Sequence, residues 1–266
     1  MSTILHISDT HFGTETPAVI EALLQLAGDQ RPDLLVLSGD VTQRARAAQF
    51  KAAVEFLERM PVPHLLVLPG NHDLPLFNIL GRVFSPYGNF QRSFGRDMEP
   101  VFESQELLVV GVNTTRPWRH KHGEVSPRQI ETVSRRLRSG RAEQLRVVVA
   151  HQPVRATRES DVRNLLRNHR SAIHAWAEAG ADLVLGGHVH LPHVRPLKEV
   201  HEIPRAVWSV LAGTAVSRRV RGEIPNSVNL IRYRKEDEPR SCLVERWDYD
   251  ARGVFCLAGR EILLLQ

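Results

Sequence analysis

The sequence predicts an α/β fold built on parallel strands, and two observations carry that prediction. Strand-like and helix-like stretches alternate over the first seventy residues, the signature of βαβ units. Five apolar runs of strand length, moreover, each empty into a turn bearing Asp, His or Asn. They are Ile4 to Ile7 before Asp9 and His11, Leu34 to Leu37 before Gly39-Asp40, and Leu65 to Leu68 before Gly70-Asn71-His72-Asp73. Val147 to Val149 precedes His151, and Leu183 to Leu185 precedes Gly186-Gly187-His188-Val189-His190. Ligands of open α/β sheets bind at the carboxyl ends of strands, so these groups are expected along one edge.

The elements follow in order. Thr3 to Ser8 reads as a buried strand, and an extended chain would put Asp9 and His11 on one side. Thr16-Pro17 supplies an N-cap and an N1 proline for a helix expected to end near Gly28. Pro32 resets the chain for the strand Leu34 to Leu37. Arg44 to Met60 reads as an Ala-rich amphipathic helix, stopped by Pro61-Val62-Pro63. After the Leu65 strand, a short helix is expected over Leu76 to Phe84 and a loop over Ser85 to Phe94. Val101 to Glu103 and Leu107 to Val112 read as a hairpin. The polar segment Thr114 to Val125 carries Trp118, His120 and His122, and is a candidate substrate wall because binding groups concentrate on loops. Ser126-Pro127-Arg128-Gln129 is a capping box that opens a helix to about Ser139. Leu145 to Ala150 is a strand, Asp161 to Ala179 helical in one or two pieces, and Asp182 to Leu185 a strand. After Pro204 the helical pattern disappears, and Ala206 to Leu211, Ser227 to Arg234, Cys242 to Asp248 and Val254 to Leu265 read as strands.

Composition sets bounds. A chain of 266 residues with 42% hydrophobic and 24% charged residues suits a globular α/β domain. No composition shift marks a linker, so one domain over 1–266 is expected, with the motifs in a core over 1–195. No apolar run reaches membrane-spanning length, and a strand starting at Thr3 reads as leaving no room for a signal peptide. A cytoplasmic location is therefore expected. Cys242 and Cys256, far from the His and Asp groups, read as free thiols. The net charge of +5 is mostly Arg, spread along the chain with local groups at Arg135, Arg136, Arg138, Arg141 and at Arg218, Arg219, Arg221. The first group reads as a solvated helix face rather than a nucleic-acid footprint.

Each short motif is weak alone, but their conjunction at five strand ends is specific. Asp9-Thr10-His11, Gly39-Asp40, Gly70-Asn71-His72-Asp73, His151 and Gly187-His188-Val189-His190 together resemble the calcineurin-like binuclear metallophosphoesterases. They span residues 9 to 190. The resemblance implies a four-layer α/β/β/α sandwich of two mixed sheets with helices outside, the strands of 204–266 completing the second sheet. It implies two metal ions, Asp9, His11, Asp40 and His190 holding one and Asp40, Asn71, His151 and His188 the other, with Asp40 bridging. Imidazole and carboxylate ligands without sulfur suit Mn, Fe, Zn or Co. Ions about 3.5–4 Å apart would activate a shared hydroxide as nucleophile. His72 would stabilise the transition state or protonate the leaving oxygen, and Asp73 is a candidate to orient its ring or to shape the turn.

Departures from sister groups narrow the reaction. The second block continues GDVTQRA, without the Asp-Arg pair that the family's Ser/Thr phosphatases use on monoesters. His72 stands where the lipid A pathway hydrolases carry Arg. The pattern is similar in particular to bacterial class III cyclic-nucleotide and glycerophosphodiester phosphodiesterases. The expected substrate is a small phosphodiester such as a 3′,5′-cyclic nucleotide. Two rival readings are a DNA or RNA nuclease of the repair-exonuclease type and a catalytically idle protein-binding scaffold. Nucleic acid is not favoured, because no concentrated basic stripe is present, and the scaffold is not, because every ligand position is filled. No membrane partner is expected, and a homodimer is compatible with the sequence.

Overall fold

The computed structural model describes residues 1–76 and 78–266. The chain opens with β1 (Ser2–Ile7), α1 (Pro17–Gln30), β2 (Leu34–Leu37), α2 (Ala47–Glu58) and β3 (His64–Val67). β1, β2 and β3 run parallel, with Ile4 level with Leu34 and Leu34 level with His64. α1 passes two residues beyond Gly28 and ends where Arg31 takes a left-handed conformation (φ 47°) before Pro32. A residue before proline is disfavoured in the α region, which explains the stop. α2 begins at Ala47 rather than Arg44, because Ala45 is left-handed (φ 53°). The Gln49 side chain instead accepts from the Arg44 backbone N–H at 2.9 Å.

Next come α3 (Ile79–Phe84), α4 (Gly88–Phe94), β4 (Val101–Glu103) and β5 (Leu107–Val112). The helix expected over 76–84 is found from Ile79, and Phe77 lies outside the described residues. The stretch expected to be loop is largely helix α4. Tertiary packing overrides its weak Gly-Asn start: Phe90 is fully buried, edge-on to Phe50 at 6.2 Å between centroids. α5 (Pro127–Arg138) has the expected capping box, Ser126 Oγ accepting from the Gln129 N–H. β6 (Leu145–Ala150), α6 (His169–Glu178), β7 (Leu183–Gly186), β8 (His193–Pro196), β9 (Trp208–Leu211), β10 (Ser227–Tyr233), β11 (Ser241–Tyr249) and β12 (Phe255–Leu264) complete the chain.

The strands form two six-stranded mixed sheets, ordered β12-β11-β10-β1-β2-β3 and β4-β5-β6-β7-β9-β8. Alternation along the strands sorts side chains into three apolar layers. Leu5 and Ile7 of β1 and Leu35 and Leu37 of β2 pack under α1 and α2. Ile4, Leu34 and Val36 face Val109, Val147, Val149 and Leu185 of the other sheet. On the far side, Val110, Val148 and Val184 meet Val133, Leu137, Ile173 and Trp176 of α5 and α6. The result is the expected α/β/β/α sandwich.

The C-terminal strands depart from expectation. Only β9 joins the second sheet. β10 pairs antiparallel with β1, and β11 and β12 extend the first sheet outward. β10 is apolar on both faces, Val228 and Leu230 towards the helices and Ile231 and Tyr233 between the sheets, which suits a central position beside β1. The short strand β8, unforeseen in the sequence, hairpins back onto β9.

Candidate metal centre

β1, β2 and β3 of one sheet, and β6 and β7 of the other, deliver their carboxyl-end turns to one place. Backbone hydrogen bonds stitch those turns together. Asp9 N donates to Gly39 O, His11 N to Asp40 O, and Gly187 N to His151 O, each at 3.0 Å. Asp9, His11, Asp40, His188 and His190 all have positive φ, between 43° and 70°, and make up five of the eight such non-glycine residues among those described. This conformation costs on the order of 1–3 kcal/mol per residue and persists where surroundings enforce it, typically at functional sites. Asp9 and His11 therefore meet through two left-handed residues, not through the extended chain expected from sequence. The turns also require close approach at two glycines. A Cβ at Gly70 would collide with the backbone N and Oδ1 of Asp40, and one at Gly187 with Ser8 Oγ and Asp9 Oδ2.

Among the described residues three overlapping groups of ligand-type atoms result, each with its atoms within 4.8 Å of one another: Asp9, His11 and His190; His11, Asp40 and His72; Asp40, His151 and His188. Asp9 Oδ1 lies 3.2 Å from His190 Nε2 and 3.6 Å from His11 Nε2. Asp40 stands between the groups, Oδ2 3.7 Å from His11 Nε2 and Oδ1 3.3 Å from His151 Nε2. Hydrogen bonds behind these atoms aim them inward. His151 Nδ1 donates to Ser38 O at 3.0 Å, His190 Nδ1 to Arg219 O, and the His188 and His72 backbone N–H groups to Asp9 Oδ2 and Asp40 Oδ1. Such orienting contacts are what metal-ligating imidazoles normally carry.

The front of the site is left unsatisfied. Asp9 Oδ1, Asn71 Oδ1, His151 Nε2 and both ring nitrogens of His188 are buried without a hydrogen-bond partner. Buried polar atoms are nearly always paired, so a set of orphaned oxygen and nitrogen atoms converging from four of the turns fits a cation. Charges within the set already respond to one another. Burial disfavours the Asp9 and Asp40 carboxylates, yet His190 and His11 around Asp9, and His151 around Asp40, hold both well below the usual range. Burial opposes a charged His151, but Asp40 and then Asp9 raise it to about 9. His188, desolvated and facing His151, falls to about 3.

A cleft of about 450 Å³ opens on this cluster, lined by Asp40, Asn71, His72, His188 and His190 from the turns. His72 Nδ1 lies 3.0 Å from Gln43 O and its Nε2 3.2 Å from Arg219 Nη1. A carbonyl only accepts and a guanidinium only donates, so the partners assign the hydrogen to Nδ1 and a lone pair to Nε2. His72 thus shows the cleft an acceptor already engaged by Arg219, and the proton-donor role expected for it requires that contact to break. Among the described residues Asp73 makes no hydrogen bond to the His72 ring, whose partners are Gln43 and Arg219. It is buried, and its carboxylate accepts from Val41 N (3.0 Å), Thr42 N (2.7 Å), Thr42 Oγ1 (2.8 Å) and Gly70 N (2.8 Å). It clasps the turn after β2 to the turn after β3, which corrects the ring-orienting role. Burial, and then the charge of Asp40, push its carboxyl up to about 7.

Of the loop residues named from sequence, His120 lines the cleft, whereas Trp118 and His122 are exposed outside its lining. Arg82 of α3 holds this loop through Pro117 O and Arg119 O at 2.6 and 2.8 Å. Sequence reasoning missed Lys121, Asp161, Arg163, Asn164, Arg219 and Arg221, which also line the cleft. For Arg219 and Arg221 the sequence signal was the Arg218, Arg219, Arg221 cluster, similar in appearance to the Arg135 to Arg141 group. The latter is indeed a solvated face at the end of α5, with Arg138 paired to Glu131 at 3.0 Å.

Comparison with known proteins agrees with this geometry. The calcineurin-like phosphoesterase profile matches residues 2–192. A probable glycerophosphodiester phosphodiesterase of Arcobacter nitrofigilis is 24% identical over 200 residues, 70% of this chain and 71% of that protein. A probable cyclic nucleotide phosphodiesterase of Rhodococcus erythropolis is 24% identical over 203 residues, 70% of this chain and 64% of that protein. The fold is shared with a dimetal phosphatase from Danio rerio (TM-score 0.67, 14% identity, 100% of this chain and 99% of that one). A purple acid phosphatase from yellow lupin matches with TM-score 0.72 and 12% identity, over 93% of this chain but about half (51%) of the plant chain. With its five strand-end motifs gathered at one cleft and the family profile matched over most of its length, the chain belongs to the calcineurin-like phosphoesterases and is a phosphoesterase hydrolase.

Proposed function

We propose that the chain, acting as one domain, hydrolyses phosphodiesters at two divalent metal ions held in the cleft, with a small diester such as a 3′,5′-cyclic nucleotide as substrate. The observation that carries the reading is the set of buried, unpartnered acceptors on Asp9, Asn71, His151 and His188 at the cleft floor. Asp9, His11, Asp40 and His190 would hold one ion and Asp40, Asn71, His151 and His188 the other. The central position of Asp40, with one oxygen towards His11 and the other towards His151, supports its bridging role. Metal ions there would offset charge on the phosphoryl oxygens and lower the pKa of an attacking water.

The chain's own residues do the rest. The Ser38 and Arg219 carbonyls keep His151 and His190 in the tautomer whose Nε2 faces inward. The buried floor excludes bulk water, which strengthens every charge interaction within it. His72, Asn71 and His120 line the space where the phosphate and its substituent would sit, with Lys121, Arg163 and Arg219 adding positive charge. A volume of about 450 Å³ lies within the range of small-molecule sites. The phosphodiesterase names of the bacterial relatives and the missing Asp-Arg clamp after Asp40 support a diester over a monoester.

The test is a hydrolysis panel with Mn, Fe, Zn or Co added to the purified protein. It compares cyclic nucleotides, glycerophosphodiesters, a nitrophenyl diester and monoester, and single- and double-stranded DNA. Turnover of small diesters well above monoester and DNA is expected. Preferential DNA cleavage would replace the reading with a nuclease, and a preparation that cannot be reconstituted with metal would replace it with a scaffold.

A further inference from the structure

Among the cations lining the cleft, Arg219 is held against a cleft histidine and still keeps unused donors. Its Nη1 is pinned between Gln43 Oε1 at 2.9 Å and His72 Nε2 at 3.2 Å. Its carbonyl receives the N–H of His190 Nδ1 and the Thr214 hydroxyl. The residue is half-buried and has no carboxylate partner, and its Nε and Nη2 have no protein hydrogen-bond partner among the described residues. Arg221, two residues on, lines the same cleft but is consumed by Asp161 at 2.8 Å and Val189 O at 3.0 Å. A guanidinium that served only to prop His72 would need one N–H. Arg219 keeps three further N–H donors unspent beside the cluster of Asp9, Asp40 and the histidines.

We propose that Arg219 is a substrate-binding residue whose free Nε–Nη2 edge takes a non-bridging phosphate oxygen of the diester. The proposal rests on the phosphodiesterase reading and deepens it by naming the protein cation that grips the scissile phosphate. Arginine suits this task because its planar fork aims neighbouring N–H donors at phosphate oxygen in a fixed geometry. Gln43 and His72 hold the group in place beforehand, so little side-chain freedom is lost on binding. The family motif blocks contain no such residue. It arrives from the segment between β9 and β10, and its main chain braces His190 while its side chain braces His72. One residue thereby couples a candidate ligand of the first ion, the cleft histidine and the phosphate.

The test uses metal-loaded protein and inorganic phosphate as the probe, measured calorimetrically for the parent, Arg219→Gln and Arg219→Lys. Metal content and melting temperature are recorded alongside kcat and KM on bis(4-nitrophenyl) phosphate. Arg219→Gln should bind phosphate about 10–100-fold more weakly, the range for losing hydrogen bonds to a charged group. Arg219→Lys should recover part of that loss, because a point charge remains without the fork. Metal content should stay at the parent level in both, since the carbonyl that braces His190 is untouched. Phosphate affinity in Arg219→Gln within twofold of the parent would overturn the assignment. So would metal loss in both variants, which would make Arg219 a support for the ligands alone. If the parent hydrolyses no diester while phosphate binding still falls in Arg219→Gln, the phosphodiesterase reading fails and the anion site stands.

Discussion

Asp73→Asn separates a structural clasp from a catalytic partner of His72. The carboxylate accepts four hydrogen bonds, Oδ1 from the Thr42 N–H and hydroxyl and Oδ2 from the Val41 and Gly70 N–H groups. An amide keeps one accepting oxygen and turns an NH2 towards two backbone donors, or the reverse. Two buried donors then lose their acceptor, at about 1–3 kcal/mol each. The expected loss is up to about 2–6 kcal/mol, offset in part because the amide places no charge beside Asp40, against the roughly 5–15 kcal/mol that holds a domain together. At about 2–4 °C per kcal/mol for a chain of this size, the melting temperature should fall on the order of 10 °C. Because the clasp sets Asp40 against Asn71, metal retention should weaken as well. The assay is thermal unfolding with metal analysis on parent and variant, alongside diester turnover at saturating metal. A variant with parental melting temperature and metal content but collapsed kcat would refute the clasp and restore a direct role beside His72.

Two further predictions follow from other parts of the structure. Gly187→Ala should cost stability, about 1–3 kcal/mol for an overpacked site, and weaken metal retention, because its Cβ meets Ser8 Oγ and Asp9 Oδ2; unchanged metal content and melting would contradict that packing. His6 lies buried 3.1 Å from Ser38 Oγ, and burial drops its pKa from 6.5 to about 3 against the pull of Asp9. Unfolding therefore takes up a proton between those values, so His6 erodes stability as pH falls below 6.5, by about 1.4 kcal/mol per pH unit until roughly pH 3. His6→Asn should flatten the stability–pH slope by one proton between pH 6 and 4, read by urea unfolding, and an unchanged slope would contradict the burial argument.

Much of the site was legible because its chemistry sits at strand ends. A buried strand announces itself as an apolar run, and the polar residues that follow it are brought to one sheet edge by the fold's own geometry. Asp9, His11, Asp40, Asn71, His151, His188 and His190 could therefore be collected before any coordinates. What stayed hidden depended on contacts distant in sequence. α4 forms because Phe90 finds Phe50, and nothing local in Gly88-Asn89 favours a helix. The sheet that β10 to β12 join is decided by pairing with β1, more than two hundred residues away. The left-handed backbone at five site residues is imposed by neighbouring turns, so an extended reading of Asp9-Thr10-His11 reached the right cluster by the wrong path. Arg219 is invisible for the same reason: as a sequence it is one Arg of three, and only the fold places it against His72.

The central claim is that two ions, sharing Asp40, make this cleft a diesterase. The most direct measurement strips the protein with chelator and titrates Mn²⁺ back while following bis(4-nitrophenyl) phosphate hydrolysis, in the parent and in Asp40→Ala. Activity should be absent after stripping and return in proportion to metal until two equivalents are bound. Asp40→Ala should bind metal weakly at both positions, with turnover lower by orders of magnitude. Full activity in the stripped parent, saturation at a single equivalent, or an Asp40→Ala variant that keeps two ions and near-parental turnover would contradict the account.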